Sequence, residues 1–234
     1  GGIDKTVKLW SAESGERVRT LIGHQDRVFS VDCSPDGKTL ASGSKDTTVK
    51  LWSMELDEHV RTLVGHQDWV FSVAFSSDGK TLASGSKDTT VKLWSIEAGV
   101  CVCTLAGHQD GVRSVTFSPN GKILASGGND SKVKLWSLES GQCLRTFEGH
   151  ENKSWIRSVA FSPDGKTLAS GSEDTTVKLW LVESGECVYT LEGHKNWVRS
   201  VVFSPNGEIL ASGSSYDTVV KLWSVESGEC ICSL

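Results

Sequence analysis

Five times along the 234-residue chain a histidine, a serine, an aspartate and a tryptophan recur in one order and at nearly fixed offsets. The sets are His24, Ser42, Asp46 and Trp52; His66, Ser84, Asp88 and Trp94; His108, Ser126, Asp130 and Trp136; His150, Ser170, Asp174 and Trp180; and His194, Ser212, Asp217 and Trp223. Serine, histidine and aspartate are the constituents of a hydrolase triad, in which imidazole takes the hydroxyl proton and a carboxylate orients the imidazole. The tryptophan points to a different use. An indole N–H only donates, a hydroxyl donates and accepts, and neutral imidazole has one nitrogen of each kind. A chain running Trp to Ser to His to Asp therefore satisfies every polar group in turn, as a buried structural network must. Catalysis needs one site, whereas architecture needs the set in every unit. No catalytic residue is expected. The sixth histidine, His59, falls at a hairpin end and is expected to be solvated.

The cysteines lead no further toward chemistry. There are seven. Cys101, Cys143, Cys187 and Cys230 hold the same place in successive units, too far apart for a disulfide, which needs Cα atoms within about 7 Å. Cys101/Cys103 and Cys230/Cys232 are i, i+2 pairs expected on one strand face, with no further ligands nearby to complete a metal site. Reduced thiols in a cytoplasmic protein are the expectation. The glycines follow the turns and not a nucleotide-binding spacing, so no cofactor is expected. A net charge of −5 disfavours nucleic acid as a partner. No run approaches 18 apolar residues and no basic-then-apolar leader opens the chain, so neither membrane association nor a secretory signal is expected.

The elements that carry these residues repeat as well. The string KLW ends at Trp10, Trp52, Trp94, Trp136, Trp180 and Trp223, at spacings of 42, 42, 42, 44 and 43 residues. The extra residues fall in ENKSW, before Trp155, and in SSYDT, near Tyr216, both read as loops. Within one unit, VFSVAF puts apolar residues at Val70, Val73 and Phe75, and a β-bulge at Phe71–Ser72 restores the alternation. A turn at Ser76–Gly79 follows, then KTLASGS, a tight turn at Lys87–Asp88, TTVKLW, a turn at Ala98–Gly99, and CVCTL. All four prolines (Pro35, Pro119, Pro163 and Pro205) lie in the first of these turns, outside the central strands. Four short antiparallel strands in about 42 residues make a propeller blade, and no segment reads as a helix.

From the Gly-His pair through SPDGKTLASGSKDTTVKLW, the units resemble the blades of WD-repeat β-propellers, of the regular type seen in bacterial and fungal signalling proteins. The resemblance covers essentially the whole chain. It departs at one place: the Asp that should follow the Trp is Ser after Trp10, Trp52, Trp94, Trp136 and Trp223, and Leu181 after Trp180. The resemblance implies an all-β propeller in which the His, Ser, Asp and Trp form the structural network. Aligning the first KLW sets Gly1 against Gly43. The expectation is then a half blade over 1–21 and complete blades over 22–63, 64–105, 106–147, 148–191 and 192–234. That is part of a longer ring, seven-bladed by the resemblance, whose incompleteness favours self-association.

The family resemblance also implies that partners bind where the d–a and b–c loops emerge. Three positions per blade correspond. They read Arg27, Phe29, Lys45; Trp69, Phe71, Lys87; Gly111, Arg113, Asn129; Trp155, Arg157, Glu173; and Trp197, Arg199, Tyr216. Unlike the blade positions, these vary from unit to unit, which frees them for function. Six of the fifteen are aromatic and six are Arg or Lys, the types that dominate binding hot spots. The expected partner is a protein or peptide with acidic side chains to meet this basic set. The expected role is a non-catalytic scaffold, or the sensor arm of a larger signalling protein with an upstream NTPase, protease-like or kinase domain. The Lys of each VKLW is expected to lay its alkyl stem along the sheet.

Overall fold

The computed structural model describes residues 2–55, 59–151 and 153–234, and among them lie 22 strands and no helix. They fall in two compact units, Gly1–Ala106 and Gly107–Leu234. The first unit opens with a two-stranded sheet, β1 (Thr6–Trp10) and β2 (Arg17–Ile22). Two four-stranded blades follow: β3 (Val28–Cys33), β4 (Thr39–Ser44), β5 (Val49–Ser53) and β6 (His59–Leu63); then β7 (Val70–Phe75), β8 (Thr81–Ser86), β9 (Thr90–Ser95) and β10 (Cys101–Ala106). The second unit holds three blades. They are β11 (Val112–Phe117), β12 (Ile123–Gly128), β13 (Val133–Ser137) and β14 (Cys143–Phe147); β15 (Ile156–Phe161), β16 (Thr167–Ser172), β17 (Val177–Leu181) and β18 (Cys187–Leu191); and β19 (Val198–Phe203), β20 (Ile209–Ser214), β21 (Val220–Ser224) and β22 (Cys230–Ser233). Each blade is an antiparallel meander whose strands pair in chain order. Residues 56–58 and Asn152, the latter within ENKSW, lie outside the described residues.

The small residues of the second strand set how blades pack. Gly43 faces the next blade, and a Cβ there would come 2.8 Å from Val70 Cγ1 and 3.2 Å from Val73 Cγ1. Gly171 meets Val198 and Val201 in the same way. The third strand alternates as the sequence implies. Val49 and Leu51 pack toward β7, β8 and β9, where Val70, Val73, Leu82 and Trp94 close the core. Val177 and Leu179 pack likewise against Val198, Val201 and Trp223. Burying each such side chain contributes about 1.5–3 kcal/mol. The outer strands add polar ties to the following blade. Arg19 Nη1 donates to the Met54 carbonyl at 2.9 Å, Arg61 Nη1 to those of Ile96 and Glu97, Arg145 to those of Glu183 and Ser184, and the Tyr189 hydroxyl to that of Glu226.

The VKLW lysines do more than cover the sheet. Lys50, Lys92, Lys134 and Lys178 donate Nζ to Thr62, Thr104, Thr146 and Thr190 at 2.7–3.0 Å, and Lys221 donates to Ser233. Lys8, in the two-stranded sheet, pairs with Asp4. One expectation needs correction. Cys101 stands opposite Trp94 and Cys103 opposite Leu93, because a bulge sets Val102 between them. Adjacent residues of a strand point to opposite faces, so the two thiols lie on opposite faces of the sheet, and so do those of Cys230 and Cys232.

Two edges differ from the interior of the array. Trp10, in the two-stranded sheet, is 61% exposed, whereas Trp52 is buried. Val220, on the last blade, is 43% exposed, whereas Val49, Val91, Val133 and Val177 are at most 1% exposed. Gly213 correspondingly has no neighbour within 4 Å of an added Cβ.

Candidate interaction face

In all five blades the structure brings the His, Ser, Asp and Trp together. Trp52 Nε1 donates to Ser42 Oγ at 2.8 Å, Ser42 Oγ lies 2.7 Å from His24 Nε2, and His24 Nδ1 lies 2.7 Å from Asp46 Oδ2. The other four sets repeat these contacts within 2.7–3.0 Å. With the proton on Nδ1, every donor meets an acceptor. The five serines are at most 1% exposed, so each hydroxyl is sealed from any substrate, unlike a hydrolase nucleophile. The aspartates also hold the chain: Asp46 accepts from the Gln25 N–H and from the Thr48 N–H and hydroxyl. Burial alone would raise the Asp46 carboxyl. Hydrogen bonds from His24, Thr48 and Gln25 outweigh it and hold the group well below the ordinary carboxylate range. His59 is exposed, lays its ring edge-on 5.3 Å from Trp52 and bonds Thr62 Oγ1 at 2.9 Å.

The variable positions are built by two devices. The first strand of each blade carries a bulge, between Val28 and Ser30, Val70 and Ser72, Val112 and Ser114, Ile156 and Ser158, and Val198 and Ser200. The unpaired residues are Phe29, Phe71, Arg113, Arg157 and Arg199, and a bulge re-aims its side chain out of the ladder. The second device is a backbone bond between the two loops. The carbonyls of Arg27, Trp69, Gly111, Trp155 and Trp197 accept the N–H of Lys45, Lys87, Asn129, Glu173 and Ser215 at 2.8–3.1 Å. In the first four blades the two loop positions are thus tied by main chain. In the last blade the inserted residue sets Ser215 in this bond and displaces Tyr216 outward, to 71% exposure.

In the first unit Phe29, Trp69 and Phe71 form an aromatic cluster with centroids 5.4–6.1 Å apart. Lys45 and Lys87 approach the Trp69 ring from two blades, at 4.9 and 4.6 Å. Each is 3.2 Å from its own carboxylate, Asp26 and Asp68. Phe71 corrects the expectation for this set. It is 8% exposed beneath its two neighbours and supports them without offering surface to a partner. Arg27 is exposed.

In the second unit cations and rings alternate across three blades. The Arg113 guanidinium lies 4.5 Å from the Trp155 centroid and that of Arg157 4.7 Å from it. Arg157 is also 5.3 Å from the Trp197 ring, Arg199 is 5.9 Å from that ring, and Trp197 meets Tyr216 edge-on at 6.4 Å. Each arginine is fixed through Nε: Arg113 to Asn129 Oδ1 at 2.7 Å, Arg157 to Glu173 Oε1 at 2.9 Å, and Arg199 to Ser215 Oγ. Arg157 adds a bond from Nη2 to the same carboxylate oxygen. Burial, and then the neighbouring charge of Arg157, push the Arg113 guanidinium down to about 10.

The model of the WD domain, G-beta repeat, matches residues 15–53, 57–95, 99–137, 141–180 and 185–224. The chain belongs to the WD40 repeat family. Relatives match it over the length of about one WD40 repeat. Coronin-7 of Rattus norvegicus is 46% identical over 39 residues, 17% of this chain and 4% of that protein. F-box-like/WD repeat-containing protein TBL1Y of Homo sapiens is 54% identical over 35 residues, 15% of this chain and 7% of that protein. Nuclear distribution protein PAC1 of Cryptococcus neoformans var. neoformans is 47% identical over 38 residues, 16% and 9% of the two lengths. The chain thus spans less than a tenth of these WD40 relatives. Within its own repeats one residue escaped the sequence reading. Asp32 stands where the other WD40 units have Ala74, Thr116, Ala160 and Val202, and its Oδ2 accepts the Phe75 N–H of the next blade at 2.7 Å. A single departure within a repeat was the signal that could have found it.

Proposed function

We propose that this WD40 chain is a non-catalytic scaffold that captures a protein or peptide at the blade end carrying the bulge residues and the two tied loops. One observation carries the reading. The positions that differ between repeats hold stacked rings and cations, on a frame whose remaining residues are nearly invariant. Trp197 and Tyr216 expose apolar surface there, and clusters of Trp, Tyr and Arg are the usual centres of binding energy. Seven unbridged thiols fit a reducing, cytoplasmic setting. The test is selection from a random peptide library on the full chain, followed by the joint substitution Trp69→Ala, Trp155→Ala, Trp197→Ala and Arg157→Ala. The selected peptides should lose binding while the circular dichroism spectrum and thermal midpoint of the chain are kept. A folded variant that still binds them refutes the assignment.

Exposure of Trp10, Val202 and Val220 favours a second reading, in which the chain also associates with itself through its uncovered sheet faces. Sedimentation velocity across a range of concentrations tests this. A single monomeric species throughout refutes it.

A further inference from the structure

The alternating row of the second unit has a chemistry of its own. Arg113, Arg157 and Arg199 come from equivalent bulges on three successive blades, and each is held in two ways, by Nε to the b–c loop and by a guanidinium carbon 4.5–5.9 Å from an indole centroid. A guanidinium held through Nε and a ring still offers its remaining N–H groups, which pair with carboxylate oxygens. The clamps have set the geometry in advance, so little side-chain freedom remains to be lost on binding. The charges are incompletely balanced. Three arginines meet two carboxylates: Glu173 pairs with Arg157, the charges of Glu173 and Asp110 also act on Arg113, and Arg199 donates Nε to the neutral Ser215. The first unit differs, since each of its two ring-bound lysines has a carboxylate of its own.

We propose that this row is a binding site for an extended acidic peptide whose carboxylates lie two residues apart. The inference rests on the scaffold reading above and adds the chemistry of the partner. Spacing supports it. Arg113 and Arg157 share the Trp155 ring, so their guanidinium carbons are at most about 9 Å apart. Arg157 and Arg199 share Trp197 and are at most about 11 Å apart. An extended chain advances ~3.3 Å per residue, so side chains two residues apart are ~7 Å apart on one face, within both limits. The methylene groups of Asp and Glu would lie over Trp155 and Trp197 while their carboxylates reach the arginines. Burial lowers the basicity of Arg113 first and the charge of Arg157 second, and an anion set between the two guanidinium groups offsets the second cause. Nucleic acid is the less favoured anion, since the chain as a whole carries a charge of −5.

The probe is a synthetic Gly/Ser peptide bearing three glutamates two residues apart, titrated into the full chain by fluorescence anisotropy. The controls are the same peptide with glutamine and an oligothymidylate of similar length. The glutamate peptide should bind at least roughly tenfold tighter than its glutamine counterpart. Arg199→Gln should remove most of that difference and Arg199→Lys should restore part of it, both with unchanged thermal midpoints. Equal binding of the two peptides, indifference to Arg199→Gln, or tighter binding of the oligothymidylate overturns the proposal. The two readings fail separately. Library peptides that are neutral yet need Trp155 and Trp197 would sink the acidic partner and leave the scaffold standing. Acidic-peptide binding that survives removal of those tryptophans would sink the face itself.

Discussion

Ser84 joins the second blade's network at its centre, and Ser84→Ala is the cleanest way to break it. Its Oγ lies 2.7 Å from both Trp94 Nε1 and His66 Nε2, and all three residues are buried. The substitution keeps nearly the same volume, so packing loss is small. What it leaves is an indole N–H and an imidazole nitrogen without partners in a dry site. Each orphan costs about 1–3 kcal/mol, giving about 2–6 kcal/mol in all. A domain of this kind holds about 5–15 kcal/mol, so the loss is a large fraction of its stability. Trp94→Phe removes the donor but leaves Ser84 able to donate to His66, so its cost is mainly lost ring contact. The double variant is the decisive one. Once Ser84 is gone, replacing Trp94 by Phe removes an orphan, and the two costs should fall short of their sum by about 1–3 kcal/mol. Urea unfolding followed by far-ultraviolet circular dichroism, which does not depend on the altered indole, measures all four corners. Additivity within about 0.5 kcal/mol would show that the serine does not couple the tryptophan to the histidine.

Other perturbations follow from the packing and the turns. Gly171→Ala sets a methyl 2.7 Å from Val198 and should cost about 1–3 kcal/mol. Gly213→Ala, at the uncovered equivalent, should change the urea midpoint little; equal losses at the two sites would refute the interblade fit. Thr89 has φ of 72°, a conformation that strains a β-branched residue, so Thr89→Gly should raise stability by about 0.5–1 kcal/mol in urea titrations, and a loss would show that no strain is held there. The Asp46, Asp88 and Asp174 carboxyls are raised by burial but lowered further by their histidine and threonine bonds, and so sit below their unfolded value. Their stabilisation is complete above about pH 4 and is lost as the pH falls from there toward the folded values. The urea midpoint should drop steeply below pH 4, and a flat profile down to pH 3 would contradict this.

Repetition decides what could be read in advance. The strands and the His-Ser-Asp-Trp network recur at constant offsets, so each blade checks the others. The bulge was legible from Val70, Val73 and Phe75, because one extra residue was the only way to keep those side chains on one face. The cation–ring row was legible only as a set of equivalent positions. Its contacts join residues 42 apart, such as Arg113 and Trp155, whose meeting depends on how neighbouring blades pack. Phe29 and Phe71 are the same residue at equivalent positions, yet one is exposed and the other buried although both rings lie about 6 Å from Trp69, a difference the repeat itself does not encode. Cys101 and Cys103 were set on one face because a bulge in the outer strand leaves no mark in so short a segment. The outer-strand ties of Arg19, Arg61 and Arg145 were missed although the arginine recurs, since their acceptors are backbone carbonyls and carry no sequence signal.

The fit between glycine and valine at the blade interfaces has a consequence for how such an array can change. Gly43 receives Val70 and Val73 much as Gly171 receives Val198 and Val201. The junctions are therefore interchangeable parts, and a gene that gains or loses one whole unit by unequal crossing-over makes no unfamiliar interface. The loop tips, which take no part in those junctions, can diverge independently in each inserted copy. The same interchangeability is a hazard during synthesis, because a nascent blade can dock on the wrong neighbour, in its own chain or in another, with nearly native contacts.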